Sequence, residues 1–348
     1  MRFVAGIFSL VVALAVVSQA AAQKPDQVTD LKKKIERGTV TKTTPTEIEL
    51  DIAGVGRTIP LNEIAKISFG DEPDELSNAR NAIQQKNYGQ ALDLLKKVDE
   101  KSIDRDLVKQ DLDFYKALCL VNLAINEGGN KADAEKAMLG FVAKYKTSYH
   151  FYEAAEQLGD LAVAKGDFVS AASKFYGDKG LSGAPFPDYQ IRANIKAGRA
   201  LQLSGKADEG LAKFEAAIAA DLSTPEAKQL KMLATAGKAS CLAESGKVEE
   251  AVALATKIIA DSDPSDTRVF ARANNALGLC HLKANRPKDA LLAFLQTDLL
   301  FYQDSDAHAE ALYHLAKLWD QNAKPERANA ARKTLSERYS GSLWANKS

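Results

Sequence analysis

The residues best spaced to do chemistry lie in the segment 306-DAHAEALYHLAKLWD-320. Asp306, Glu310 and His314 recur every four residues, so on a helix they would share one face and could hold a metal ion. The segment lacks the HExxH arrangement of zinc hydrolases, and acids at this spacing are also common on solvated helix faces. We therefore interpret it as a solvated face and predict neither a metal site nor a cofactor.

Other catalytic signatures are missing from the sequence. Besides His314 there are only three histidines, His150, His281 and His308, and His281 falls at an apolar position of a helical pattern, where packing is the favoured role. There is no GxSxG nucleophile turn, no GxxxxGK[ST] phosphate loop, and no GxGxxG after a strand. The sequence thus predicts a protein that is not an enzyme.

Composition narrows the classes of partner. The 348 residues contain 46 Lys+Arg and 46 Asp+Glu, so the formal net charge is zero and no nucleic-acid footprint is expected. Three cysteines, Cys119, Cys241 and Cys280, each lie in an apolar helical stretch. Two interpretations stay open for them: three buried thiols, or one disulfide plus a free thiol.

The first 22 residues have the layout of an export signal. Arg2 precedes an apolar run from Phe3 to Val17, and the small residues Ala20-Ala21-Ala22 follow. We expect cleavage near Ala22, with an uncleaved anchor as the alternative. No later run reaches about 18 apolar residues, so the sequence predicts a periplasmic or secreted protein without a further membrane span.

Residues 26–70 have the pattern of a small β module. The segment Glu47–Ile52 alternates strictly between polar and apolar residues, as a half-buried strand does. Turn residues flank it, and 60-PLNEI-64 is typical of a single helical turn. Four or five short strands in this space predict a curled sheet or SH3/Sm-like barrel that leans on the helical part.

From residue 73 to about 340 the apolar pattern is helical and it repeats. Small residues in the second helix of each unit recur at steps of 37 to 43 residues, which is the signature of a solenoid. The seven marker positions are 91, 134, 171, 210, 251, 290 and 328. Each has a helix with a second small residue upstream, so we predict about seven helical hairpins, with residues 341–348 as a tail.

These units resemble the tetratricopeptide repeat family. Leu158-Gly159, Gly166, Ala171 and Phe175 match its pattern of Leu-Gly in the first helix, a Gly turn, and Ala and Phe in the second. Further matches are Gly198, Gly205, Phe214, Ala217, Leu277-Gly278, Ala290, Phe294, Leu315-Ala316 and Trp319. The layout is also similar to exported bacterial repeat proteins that place a small β module before the hairpins.

The resemblance implies a concave surface formed by the first helices. Counting back from the markers predicts its lining residues, several of them cationic and therefore suited to an acidic or amphipathic peptide. The predicted partner-binding residues are Arg192, Ile195, Arg199, Leu233, Arg272, Asn275, Leu279 and Lys283. The alternative is that these are ordinary solvated faces. A second candidate is Phe186, in the break 176–189, which either packs on the solenoid or anchors a partner.

The favoured function is an exported, non-enzymatic scaffold that binds a protein or peptide partner through the concave face. One alternative is an envelope enzyme or enzyme accessory with its site at the cleft between the β module and the helices. Another is a cell-wall or carbohydrate-binding module, which the aromatic residues near the junction would serve: Tyr88, Tyr149, Phe151 and Tyr152.

Overall fold

The computed structural model describes residues 24–263 and 265–348. A small antiparallel sheet comes first, and fourteen helices follow it over this part of the chain. The predicted export signal, residues 1–22, lies outside the described residues. Within them, no helix combines the length and the apolar character that crossing a membrane requires.

The sheet contains five strands, and every neighbouring pair in it is antiparallel. A 3-10 turn at Leu61–Glu63 carries the chain from one edge of the sheet to the other, as the sequence predicts. Irregular pairing at Thr29/Asp30 and at Val40/Lys42 bends the strands. The strands are β1 (Asp26–Asp30), β2 (Ile35–Thr43), β3 (Glu47–Ile52), β4 (Val55–Pro60) and β5 (Ile64–Ser68), in the order β4-β3-β2-β1-β5.

The helices form seven consecutive hairpins, which confirms the predicted α-solenoid. The third hairpin is irregular, because its second helix continues from Ser170 as a π-helix over Ala171–Phe175. The helices are α1 (Asp74–Gln84), α2 (Tyr88–Lys96), α3 (Asp106–Asn126), α4 (Lys131–Lys144), α5 (Phe151–Ala164), α6 (Phe168–Ser170), α7 (Pro187–Leu203), α8 (Ala207–Ala219), α9 (Pro225–Glu244), α10 (Val248–Asp261), α11 (Thr267–Lys283), α12 (Pro287–Leu300), α13 (Ser305–Gln321) and α14 (Pro325–Arg338).

One clamp fixes the β module to the first hairpins. The carboxylate of Asp26 is buried and accepts hydrogen bonds from the backbone N–H groups of Val40 and Gly70. The Arg105 guanidinium, at the start of α3, donates two more at 2.8 and 2.7 Å. Burial raises the pKa of Asp26, but these hydrogen bonds and the Arg105 charge outweigh burial and lower it overall. The module also shares a hydrophobic core with α1 to α3, as expected from its small size.

The repeat markers occupy the contacts between paired helices. All seven positions, from Ala91 to Ala328, are buried. In all seven hairpins a turn residue has a positive φ, which ends the first helix in a left-handed conformation. Glycine fills this position in four hairpins, whereas the others use residues that carry a side chain: Lys86, Asn285 and Ala323.

Two segments that the sequence left open or assigned to a tail are packed in the structure. Phe186 packs against the core shared by the β module and the first hairpins, which is the first of its two interpretations. Residues 341–348, predicted to be a tail, are folded against the solenoid, with Leu343 and Trp344 buried.

All three cysteines are free and buried, and burial raises the pKa of each thiol to about 12.

We predict that Gly278→Leu destabilises the fold, because a Cβ at Gly278 would lie 2.7 Å from the ring of Phe294 on the paired helix. Overpacking of this kind costs about 1–3 kcal/mol. Urea unfolding monitored by circular dichroism measures the loss. The control is Gly140→Leu on α4, where a Cβ would meet no neighbouring atom. Equal unfolding free energies for the two variants would contradict a close contact at Gly278.

Candidate functional site

The concave side of the solenoid contains a half-open cavity of about 1180 Å³, here called the channel. The first helices of hairpins two to seven supply most of its wall, as the sequence predicts for a surface of this kind. The wall also includes residues between Arg338 and Leu343, which follow the last helix. The channel is therefore bounded by both the middle and the end of the solenoid.

Six of the eight predicted lining residues face this channel. They are Ile195, Arg199, Leu233, Arg272, Asn275 and Leu279. Arg192 does not line the channel but lies over the ring of Tyr189, 4.3 Å from its centroid. Lys283, near the end of α11, is exposed and does not line it either. The structure thus brings together the central part of the predicted set.

The cations of the channel are paired with acids of neighbouring hairpins. Lys196 on α7 contacts both Asp160, at 2.6 Å, and Glu156, at 3.1 Å, and Arg192 contacts Glu156 as well. Burial lowers the pKa of Lys196, but the charges of Asp160 and Glu156 outweigh burial and leave that pKa raised. These ion pairs join hairpin four to hairpin three.

Arg272 makes the same kind of connection further along. Its guanidinium contacts Asp304 and Asp306, each at 2.8 Å, and so joins hairpin six to hairpin seven. The carboxylate of Asp304 is largely buried, and burial raises its pKa. The Arg272 charge and a hydrogen bond from the Ala307 backbone N–H outweigh burial, so the pKa of Asp304 is lowered overall. The positive charge of Arg272 is therefore balanced by these two carboxylates, and its role is to connect the two hairpins.

One ion pair crosses the channel. Arg199 on α7 and Glu310 on α13 belong to hairpins four and seven, yet their Nη2 and Oε1 atoms are 2.6 Å apart. The Glu310 side chain is only 3% exposed, and its other oxygen accepts from Asn275 Nδ2 at 3.2 Å. The pair is not aligned as a hydrogen bond, so charge attraction holds these two helices together.

These ion pairs limit the charge that the predicted partner-binding cations offer. Arg192, Arg199 and Arg272 were predicted to contact a partner, and each already contacts at least one carboxylate of this chain. Sequence spacing places cations on one face correctly, whereas it does not show which acids of other hairpins the superhelix brings opposite them. Charge reversal at Arg199 would consequently weaken the fold as well as any binding.

Some polar atoms in the wall have no partner. Asn275 is almost fully buried, and its Oδ1 accepts no hydrogen bond, while its Nδ2 donates to the backbone oxygen of Ala307 at 2.8 Å. The Nε of Arg199 is likewise buried without a partner. Buried groups of this kind are rare, because leaving them unsatisfied costs free energy. The wall therefore retains hydrogen-bonding capacity beside its apolar side chains.

The residues that suggested a metal site have other contacts. Asp306 accepts from Arg272 and from Trp344, Glu310 pairs with Arg199, and His314 stacks on Phe294 with ring centroids 4.7 Å apart. Burial lowers the pKa of His314 to about 4, so the imidazole is neutral near pH 7. Its neutral ring packs between α12 of hairpin six and α13 of hairpin seven.

A buried polar cluster, defined by Arg80, Asp111, Tyr149 and His150, lies between the first three hairpins. Asp111 accepts from Arg80, from the Tyr149 hydroxyl and from a ring nitrogen of His150. Burial lowers the pKa of His150, but its hydrogen bonds to Asp111 and Glu153 outweigh burial and raise it. Asp111 is fully buried, so a substrate has no access and the cluster connects helices.

Two residues of the channel wall, Lys196 and Glu310, were missed in the sequence, as was the buried Trp344 after the last helix. Lys196 lies one turn after Arg192, a spacing that could have indicated it. Glu310 was considered only as a metal ligand, although its place on a first helix predicts the same concave face. Trp344 was assigned to a tail. A large aromatic residue among the mostly small and polar residues 341–348 is the signal that could have indicated its burial.

Comparisons with known proteins agree with this fold. Residues 195–267 match the family model described as tetratricopeptide repeat, which confirms the resemblance found in the sequence. Among curated proteins, none is similar enough in sequence to match this chain.

Solved structures extend the likeness over most of the chain. A tetratricopeptide repeat protein from Parabacteroides merdae is similar over 76% of this chain and 92% of its own, with a TM-score of 0.52 and 13% identity. A Rap protein in complex with Competence and Sporulation Factor is similar over 75% of this chain and 72% of its own, with a TM-score of 0.50 and 15% identity. At these identities the likeness is one of fold.

Proposed function

We propose that this protein is an exported, non-enzymatic scaffold that binds a segment of a protein or peptide partner in the channel. The observation that carries the proposal is the channel itself. Its volume, about 1180 Å³, exceeds the roughly 300–1,000 Å³ of pockets built for small molecules. A peptide segment is the ligand class that suits this volume on a tetratricopeptide-like concave face.

The chemistry of the wall supports the same ligand class. Apolar side chains such as Leu233 and Leu279 alternate with hydrogen-bonding groups such as Asn275. A peptide offers both apolar side chains and backbone polar groups, which suit a wall of this mixed character. The similar Rap protein was solved with Competence and Sporulation Factor bound, which supports complex formation as a use of this fold.

We predict that Leu279→Arg in the channel abolishes retention of the partner when the tagged protein is used to isolate it from cells. The long charged side chain would occupy the channel and oppose entry of an apolar segment. The control is Leu292→Arg, because Leu292 lies outside the channel on α12 and is 61% exposed. Circular dichroism and melting curves must first show that both variants are folded.

Mass spectrometry then identifies the proteins bound by wild type and by each variant, which distinguishes binding in the channel from binding on the outer surface of α12. Loss in Leu279→Arg alone supports the channel as the binding site. Equal binding by both variants would contradict it, and loss in Leu292→Arg alone would move the site to the outer surface of α12.

The export part of the proposal rests on the sequence of residues 1–22. We predict that protein recovered from the periplasm or medium begins near Gln23, because the small residues before it suit a signal peptidase. Mass spectrometry of the intact protein measures its N-terminus. A Val12→Arg variant, with a charge in the apolar run, is expected to stay in the cytosol at full length. Intact Met1 on exported wild-type protein would contradict cleavage.

A further inference from the structure

The residues after α14 run from the seventh hairpin back to the second. We call Tyr339–Ser348 the closing segment. Its start is tied to hairpin seven, where the Tyr339 hydroxyl lies 2.7 Å from a ring nitrogen of His308. It then reaches the end of α3 in hairpin two, where Ser340 contacts Gly128. The closing segment therefore spans the opening between the second and the seventh hairpins.

Gly341 makes the closest approach. A Cβ at this position would overlap the carbonyl oxygen of Ala124 and lie 2.7 Å from that of Ile125. The backbone of the closing segment is thus pressed against the last turn of α3. Only glycine allows a chain to approach another backbone this closely. Any segment that takes this path needs a glycine here.

Three residues later, Trp344 fills an aromatic pocket. Its side chain is 4% exposed, and its ring lies 5.4 Å from the ring of Tyr313 and 5.9 Å from that of His314. The indole Nε1 donates to Asp306 at 3.1 Å, and the Arg199 guanidinium lies 5.7 Å from the indole ring. A buried aromatic ring with one hydrogen bond is the typical anchor of a bound peptide.

Few polar contacts hold the closing segment to the rest of the described chain. Two of its side chains bond outside it, through Tyr339 and Trp344. The backbone N–H of Tyr339 also donates to the oxygen of Leu335 on α14 at 3.0 Å, and the remaining hydrogen bonds are internal, including Ser342 N to the oxygen of Tyr339 and Ala345 N to the Ser342 hydroxyl. The closing segment therefore makes few hydrogen bonds to the solenoid and is held mainly by burial, with Trp344, Tyr339 and Leu343 as its large buried side chains.

We propose that the pocket around Asp306, Tyr313 and Arg199 is a peptide-binding site and that the closing segment is its intramolecular occupant. The partner is a protein segment that carries a glycine three residues before a tryptophan and displaces the closing segment. This inference rests on the proposed function, because it identifies the class of peptide that the channel accepts. It also makes the free protein autoinhibited.

The probe for this site is a fluorescent synthetic peptide of residues 339–348, used with the full chain. Trp344→Ala empties the pocket, so we expect it to bind the peptide at least tenfold more tightly than wild type does, in fluorescence anisotropy. Two matched peptides, with Trp344→Ala or Gly341→Val, should lose this binding. A folded Trp344→Ala protein that binds all three peptides equally would overturn the proposal.

A second variant covers the case in which Trp344→Ala does not fold. A Cβ at Gly128 would lie 3.3 Å from that of Ser340, close to the roughly 3.5–4.5 Å of a disulfide. Gly128→Cys with Ser340→Cys should therefore lock the closing segment when oxidised. We expect the reduced form to bind the peptide at least tenfold more tightly than the oxidised form. Equal binding by the two forms would overturn displacement.

The outcomes separate this inference from the proposed function. If Leu279→Arg abolishes partner retention while the peptide binds neither Trp344→Ala nor the reduced double-cysteine protein, the channel binds a partner but the closing segment is a permanent part of the fold. Reduced protein that exchanges its closing segment between copies, seen as a dimer by gel filtration, would identify a second copy as the occupant and overturn the choice of a foreign partner.

Discussion

The contact between Arg199 and Glu310 is the constraint on which the channel depends. Stacked hairpins contact mainly their neighbours, so most solenoids are open along one side. Here a charge on hairpin four meets a nearly buried carboxylate on hairpin seven, and the closing segment adds a second connection from hairpin seven back to hairpin two. Together these contacts convert a concave surface into a partly closed channel that is still open to solvent.

The other ion pairs make this closure possible. Lys196 with Asp160 and Arg272 with Asp304 fix the angle between adjacent hairpins, because each pair joins first helices of neighbouring units. At the other end, the Asp26–Arg105 clamp fixes the β module on α3, the same helix whose last turn receives Gly341. The geometry of the channel therefore depends on polar contacts spread along the whole chain.

Local pattern predicted the units of this fold well. The alternation in β3, the seven buried marker positions and the glycine turns all follow from spacing that a single sequence shows. The sequence pattern could not show that Lys86, Asn285 and Ala323 adopt the same left-handed backbone conformation, because nothing in their side chains requires that conformation. Contacts between distant hairpins were also missed, because they depend on the superhelical twist accumulated over several repeats. Glu310 and Trp344 belong to this class.

A charge-swap cycle at the cross-channel pair tests most directly whether the solenoid is closed. The unfolding free energy is measured in urea for wild type, Arg199→Glu, Glu310→Arg and the double variant. Because Glu310 is nearly buried, each single reversal is expected to cost about 3 kcal/mol, and the double variant should recover most of that loss. A double variant that loses the sum of the two single effects would show that α7 and α13 do not meet across the channel.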